Sequence, residues 1–344
     1  MCRCDPNLPE DDCGGREMAR QPHPHSSREF TQEGNRVRTS RAKAEETPVF
    51  NRSEQRFKWT VETLPRLDVP LTVTLQLTRA CNLNCVYCSE CHPIPNMPLD
   101  QLRLVMDRLD GVSRIIIAGG EPLLREDISN VLSICRERFS TVALATNATL
   151  VTPSLADTLA QYLDYADVTF DGTRLIHDRV RGKYDHVLSG TWCLRSAGIE
   201  LSIVMVVMRA SVQSVPYVAQ LADALGAKKL KLLSPIPKGR GVDVLDQQLS
   251  SKELMRLRDR TGQIKSANGW IVRITISDWS RIREGHAIIV QPDGSVVASP
   301  VWSQPECVLK LGSLRESSIR ELWKIYPYAD HHIAKYTEQS LLVC

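Results

Sequence analysis

The chain has 344 residues, 42% of them hydrophobic and 24% charged, with a formal net charge of +3. Such a chain can bury a sizeable core, as one large domain or one plus an appendage, and its charge is too small to imply a nucleic-acid or anionic-membrane partner. No apolar run approaches the ~20 residues of a membrane-spanning helix, and the N-terminus lacks the apolar core of a secretory signal. The eleven cysteines are therefore expected in a reducing cytoplasm and not in a disulfide framework.

Residues 1–55 are rich in Arg, Glu, Pro, Ser and Gln, with almost no aliphatic residues between Met18 and Val49. A segment of that kind cannot offset its ordering entropy by burial, so a disordered tail is expected. Cys2, Cys4 and Cys13 lie in it, as exposed thiols or as a small metal-binding set.

Leu71–Thr78 alternates Leu/Val with Thr/Gln and predicts a strand. It runs into Cys81-Asn82-Leu83-Asn84-Cys85-Val86-Tyr87-Cys88, three thiols in a C-x3-C-x2-C spacing. A loop leaving a strand end can fold three sulfurs round one compact object. Three thiolates suit a cubane iron–sulfur cluster with one iron left open, because a fully protein-held cluster takes four. A zinc site would need Cys91 or His92 as fourth ligand. A redox pair at Cys85/Cys88 or Cys88/Cys91, and plain buried cysteines, are the other readings.

Strands and helices then alternate. Pro98–Leu109 predicts a helix with Leu102, Val105, Met106 and Leu109 on one face and Gly111 at its end. Strands are predicted at Arg114–Ala118, Thr141–Thr146, Tyr165–Phe170, Ile199–Val207 and Lys229–Leu233. Helices are predicted at Asp127–Arg138, Pro153–Leu163, His186–Ala197 and Val215–Leu225, with a loop from Phe170 to Lys183. Ser250–Ser266 and Trp270–Ile276 add a helix and a strand. Successive βα units of this kind build a parallel sheet with right-handed crossovers. The run is shorter than the ~250 residues of an eight-fold barrel.

The loops at the strand ends carry the remaining signals. They are Gly119-Gly120-Glu121-Pro122, Thr146-Asn147-Ala148-Thr149-Leu150, and Phe170-Asp171-Gly172 with His177-Asp178 and Arg181-Gly182. A further Gly-Arg element, Ser234–Gly241, follows the sixth strand and reads first as a turn and second as a cofactor-adjacent loop. Together with CNLNCVYC these resemble the motifs of the radical S-adenosylmethionine (radical SAM) enzymes. The resemblance implies a partial (β/α)6 TIM-like barrel over residues 66–278. It implies one [4Fe-4S] cluster on Cys81, Cys85 and Cys88, with S-adenosylmethionine chelating the fourth iron. Tyr87, Gly119, Gly120, Glu121, Pro122 and Asn147 would bind or order S-adenosylmethionine, Glu121 by meeting its amino group; Asp171 and Arg181 would contact it or order the loop, with a structural ion pair as the other reading. Ala148 stands where the family has Gly, and Thr169 where Ser is usual.

Residues 279–344 resemble the SPASM/twitch extension of one subgroup, expected as a small α+β appendage. Ile288–Val297 reads as a hairpin round Pro292-Asp293-Gly294, and Leu311–Trp323 as a turn and helix. The cysteine expected after the hairpin is replaced by Ser299, and only Cys307 and Cys344 follow, so no auxiliary cluster is expected. The implied chemistry is reductive cleavage of S-adenosylmethionine and hydrogen-atom abstraction from an unactivated carbon, with an electron donor such as flavodoxin or ferredoxin. The substrate is a peptide, as in peptide maturases, or a small metabolite such as a sugar, nucleoside or antibiotic intermediate. A non-catalytic iron–sulfur or zinc protein is the alternative of a different class. Cys193, Cys307, Tyr184 and Tyr217 are candidate hydrogen-atom donors that also read as ordinary structural residues.

Overall fold

A computed structural model describes residues 49–51, 56–58, 68–90, 94–277, 287–298, 309–326 and 340–343. Most of the expected tail, with Cys2, Cys4 and Cys13, falls outside these, as do Cys91, His92, Ser299, Cys307 and Cys344. The described residues all belong to one compact unit, Glu45–Cys344.

Two short strands come first, β1 (Val49–Asn51) and β2 (Arg56–Lys58), paired antiparallel with Phe50 opposite Phe57. β1 corrects the expectation of a tail reaching residue 55: Val and Phe favour extended backbone even in a polar stretch.

The main body is a sheet of 11 strands. β3 (Thr72–Gln76), β4 (Arg114–Ala118), β5 (Thr141–Thr146), β6 (Tyr165–Thr169), β7 (Glu200–Val206), β8 (Lys229–Leu233) and β9 (Arg273–Ser277) lie side by side in chain order. Every neighbouring pair among them is parallel. The crossovers carry α1 (Leu99–Asp107), α2 (Ile128–Arg138), α3 (Pro153–Ala160), α4 (Arg174–Val180), α5 (Tyr184–Ser196), α6 (Val215–Ala224) and α7 (Ser251–Asn268). This is the expected partial barrel. α4 is a difference: Phe170–Lys183 contains two helical turns where a loop is expected, because seven residues carry too little periodicity to register.

Local chemistry explains the helix ends. Thr152 caps α3, accepting from Leu155 N at 3.2 Å, with Pro153 in the first turn. Ser250 and Glu253 form a reciprocal capping box on α7, and Gly269 closes it in a left-handed conformation.

Each parallel strand has two unlike faces. Val73, Leu75, Ile115, Ile117, Leu144, Val168, Ile203 and Leu232 are buried in the main core cluster, under the helix layer. The alternate positions face the inside of the sheet's curve and are far more polar than the apolar filling of a closed barrel. They include Gln76, Asp167, Ser202 and Lys231; Lys231 Nζ donates to both Asp167 oxygens, at 2.7 and 2.8 Å, past the intervening β7.

The C-terminal strands join this sheet. β10 (Ala287–Val290) lies parallel to β3, and β11 (Ser295–Ala298) and β12 (Leu309–Ser313) continue antiparallel beyond it. α8 (Ile319–Lys324) follows, capped by Ser318 and Glu321, and its N-terminal Ile319 N–H donates to Arg108 O beyond α1. β13 (Ser340–Val343) pairs antiparallel with β9 at the opposite edge.

Candidate active site

The C-terminal ends of β3–β8 surround a cavity of about 530 Å³. All three motif cysteines line it: Cys81 is exposed, Cys85 buried and Cys88 intermediate. Among the described residues no three His, Cys, Asp or Glu side chains close round a single metal ion. The three thiols border the cavity. Burial pushes the Cys81 and Cys85 thiols above the usual thiol range, Glu121 adding to the effect at Cys81 and Asp171 at Cys85. A bound cationic group would reverse that by stabilising the thiolates.

The first wall is backbone against backbone. Gly120 N donates to Thr78 O and Glu121 N to Ala80 O, each at 2.8 Å. A Cβ on Gly120 would stand 2.2 Å from Ala80 O, so no side chain fits. Glu121 is fully buried behind this wall and is not among the described residues that line the cavity. Its carboxylate accepts from Thr146 Oγ1 at 2.8 Å, Asn147 N at 2.7 Å and Leu123 N at 3.1 Å, tying the β4 loop to the β5 loop. Desolvation raises its pKa, against the pull of these three donors. Pro122 is buried in the short 3-10 turn that follows.

Asn147 does line the cavity. Its Nδ2 donates to Asn82 Oδ1 at 2.8 Å and stands 4.0 Å from Cys81 Sγ, while its Oδ1 accepts from Thr149 N and Oγ1. Asn82 in turn donates to Thr149 Oγ1 at 2.8 Å. The β5 loop is thus clipped to the cysteine loop. Ala148 keeps a left-handed backbone, φ 59°, so the turn expected of a glycine survives its replacement.

The second wall is made of charged side chains. Tyr87 OH donates to Asp171 Oδ2 at 2.6 Å, and Arg181 Nε donates to the same oxygen at 3.0 Å. Arg181 Nη2 also reaches the Tyr87 hydroxyl, and Val206 N donates to Asp171 Oδ1 at 3.0 Å. Tyr87 and Arg181 line the cavity, while Asp171, fully buried, braces them from behind. Burial, more than the neighbouring Asp171, holds Tyr87 protonated, far above the usual phenol range. Buried His177 takes the Asp171 N–H on Nδ1 at 3.2 Å, and burial lowers its pKa to about 4.

Three cavity residues, Arg79, Glu90 and Asp167, gave no sequence signal; Arg240, from the Gly-Arg element that also reads as a cofactor-adjacent loop, lines the cavity with them. Arg79 pairs with Glu90, and Arg240 Nε donates to Cys85 O at 2.9 Å. Lone charged residues in loops are usually solvated, and only the topology brings these together. The candidate hydrogen-atom donors go elsewhere. Tyr184 on α5 and Tyr217 on α6 meet hydroxyl to hydroxyl at 2.5 Å in the helix layer, and Cys193 is on α5. None of the three lines the cavity.

Three thiols at the mouth of a parallel partial barrel, faced by a Gly-Gly wall, define a class. Residues 75–221 match the model of the radical SAM superfamily, and the chain carries a radical SAM domain. Members of that superfamily are enzymes that use a [4Fe-4S] cluster and S-adenosylmethionine, the latter present in several of the structural neighbours. The AdoMet-dependent heme synthase of Methanosarcina barkeri is 30% identical over 185 residues, 51% of this chain and 53% of that protein. Mycofactocin maturase MftC of Mycolicibacterium smegmatis is 34% identical over 201 residues, 55% of this chain and 51% of that protein. The chain spans about half the length of the curated relatives it matches. Among solved structures, Streptococcus suis SuiB bound to precursor peptide SuiA has a TM-score of 0.66 at 15% identity, covering 77% of this chain and 67% of that one. The structure of anSMEcpe with AdoMet and the Cp18Cys peptide has a TM-score of 0.61 at 20% identity, covering 78% and 82%. At these identities the structural likeness speaks for the fold.

Proposed function

We propose that Cys81, Cys85 and Cys88 hold a [4Fe-4S] cluster and that the chain is a radical SAM enzyme acting on a peptide. The convergence of the three thiols on one cavity, with Gly120 packed against their loop, carries the first part. The donor set fits the group: three soft thiolate donors leave one iron open. With both groups bound, the site supplies one-electron reductive cleavage of S-adenosylmethionine, producing a radical that removes a hydrogen atom from the substrate.

The chain's own residues do the rest. The Gly119-Gly120 wall offers backbone to S-adenosylmethionine at close range. Asn147 fixes the Cys81 side of the cysteine loop and Tyr87 the Cys85–Cys88 side, through Asp171 and Arg181. Glu121 orders the β4 and β5 loops from behind, which supports an indirect contribution to S-adenosylmethionine binding beside the contact with its amino group that the resemblance implies. Val204, Val206 and Leu233 give the inner cavity an apolar patch, beside Asp167 and Thr169, that would shield the substrate carbon from water.

The identity to mycofactocin maturase favours a peptide substrate. The comparable identity to heme synthases favours a second reading, a small-molecule substrate of tetrapyrrole type. An electron donor such as flavodoxin or ferredoxin would complete either system. Anaerobic reconstitution should give about four irons and four sulfides per chain, and the Cys81→Ala/Cys85→Ala/Cys88→Ala variant none. Deuterium transfer into 5′-deoxyadenosine from a labelled precursor peptide supports the first substrate reading. Transfer from a labelled porphyrin, with none from the peptide, replaces it with the second.

A further inference from the structure

The segment after β8 rests on the cysteine loop, although four strands separate β8 from β3 in the sheet. Gly239 adopts φ +56°, and a Cβ there would stand 2.7 Å from Cys88 O and 2.8 Å from Ser89 O. Arg240 N donates to Cys88 O at 2.9 Å, and Arg240 Nε to Cys85 O at 2.9 Å. Lys238 Nζ reaches Glu90 Oε1 at 2.7 Å. Lys238-Gly239-Arg240 therefore grips the carbonyls of two of the three cysteines from across the cavity.

The cations in and beside this cavity differ in their partners. Arg79 and Lys238 share Glu90, and Arg181 pairs with Asp171. Arg240 has no carboxylate within ion-pair distance among the described residues, and its guanidinium lines the cavity beside the cysteine loop. A positive charge left uncompensated in a partly desolvated site acts strongly on any change of charge beside it.

We propose that Arg240 is a positioning residue for the iron–sulfur cluster, holding the cysteine loop and supplying the charge that favours the cluster's reduced state. The inference rests on the cluster reading above. Reduction adds one electron to a cluster already held by three thiolates; the electron comes from a low-potential donor protein or dithionite, and no bond or proton need move. A cation nearby, with no carboxylate partner among the described residues, stabilises the extra negative charge and raises the reduction potential. Arg240 would thereby help to bring the cluster within reach of its donor.

The test compares the full-length parent with Arg240→Gln and Arg240→Lys, each reconstituted anaerobically. Iron content and the midpoint potential, followed by paramagnetic resonance of the reduced cluster, are measured with no substrate present. Arg240→Gln should shift the midpoint to lower potential, and Arg240→Lys, which keeps the charge, should stay closer to the parent. Cluster retention in Arg240→Lys but not in Arg240→Gln also supports the proposal. Equal midpoints in all three, a shift in Arg240→Lys as large as in Arg240→Gln, or loss of the cluster from both variants would overturn the assignment of charge. A parent chain that takes up no cluster defeats the underlying cluster reading instead, so the two failures are distinguishable.

Discussion

The two walls of the cavity are held by different forces. On the β3–β5 side the contacts to the cysteine loop are uncharged: backbone meets backbone where Gly120 sits on Thr78 and Glu121 on Ala80, and side-chain amides meet where Asn147 donates to Asn82. On the β6–β8 side, side chains with charge hold the same loop: Tyr87 to Asp171 and Arg181, and Arg240 to Cys85 O. Shape governs the first wall and charge the second. A scaffold that must fix three thiols while leaving one face open gains from that division. The rigid wall sets the geometry, and the charged wall sets the electrostatics of whatever the thiols bind.

The largest expected effect breaks the charged wall. Asp171→Ala leaves Arg181, 11% exposed, without its carboxylate, at a cost of about 3–5 kcal/mol. Anaerobic urea denaturation checks this; a loss below about 1 kcal/mol would mean that the pair behaves as a surface one.

The same wall should sense pH through His177. Its pKa is lowered to about 4 from 6.5 by burial, so the folded chain binds its proton less readily than the unfolded one. Stability is therefore full above the unfolded value and is lost as pH falls from 6.5 through 4, by roughly 3 kcal/mol. His177→Gln should flatten that part of the profile, and an unchanged slope in the variant would assign it to other groups.

On the shape-governed wall, Glu121→Ala orphans the buried Asn147 N–H and should cost about 2 kcal/mol. Because the loops it joins line the cavity, S-adenosylmethionine affinity should fall while the cluster survives; calorimetry giving parental affinity would show that the loops hold their form without it. The smallest effect is at Ala148. Relief of the left-handed strain by Ala148→Gly is offset by the lost methyl burial and the added backbone freedom, so thermal unfolding should report a change within about 1 kcal/mol. A larger change in either direction would mean that one of these opposing effects dominates at this turn.

Much of this was legible in the chain. The alternating strands and helices follow from periodicity, which acts within a few residues, while the joining of the Gly-Gly and Asn-turn loops to the cysteine motif in one site comes from the resemblance to radical SAM enzymes. What escaped depends on distant partners. Lys231 reads as one polar residue in a strand, and only the curved sheet sets it against Asp167 past β7. Arg240 reads as part of a turn first and of a cofactor-adjacent loop second, and nothing near it in the chain reveals its partner Cys85 O, 155 residues away. Likewise the hairpin at Ile288–Val297 is visible, but not the parallel seating of β10 on β3. Glu121 was readable as a motif residue; that it points into the loops, away from the cavity, depends on the fold.

The central claim is that these three thiols build a site that cleaves S-adenosylmethionine. The most direct measurement is the yield of 5′-deoxyadenosine from anaerobically reconstituted chain, S-adenosylmethionine and dithionite, set beside the Cys81→Ala/Cys85→Ala/Cys88→Ala variant. The parent should form 5′-deoxyadenosine and methionine in equal amounts, and the variant neither. A parent that carries iron and sulfide yet forms no 5′-deoxyadenosine, or a variant that forms as much as the parent, would contradict it.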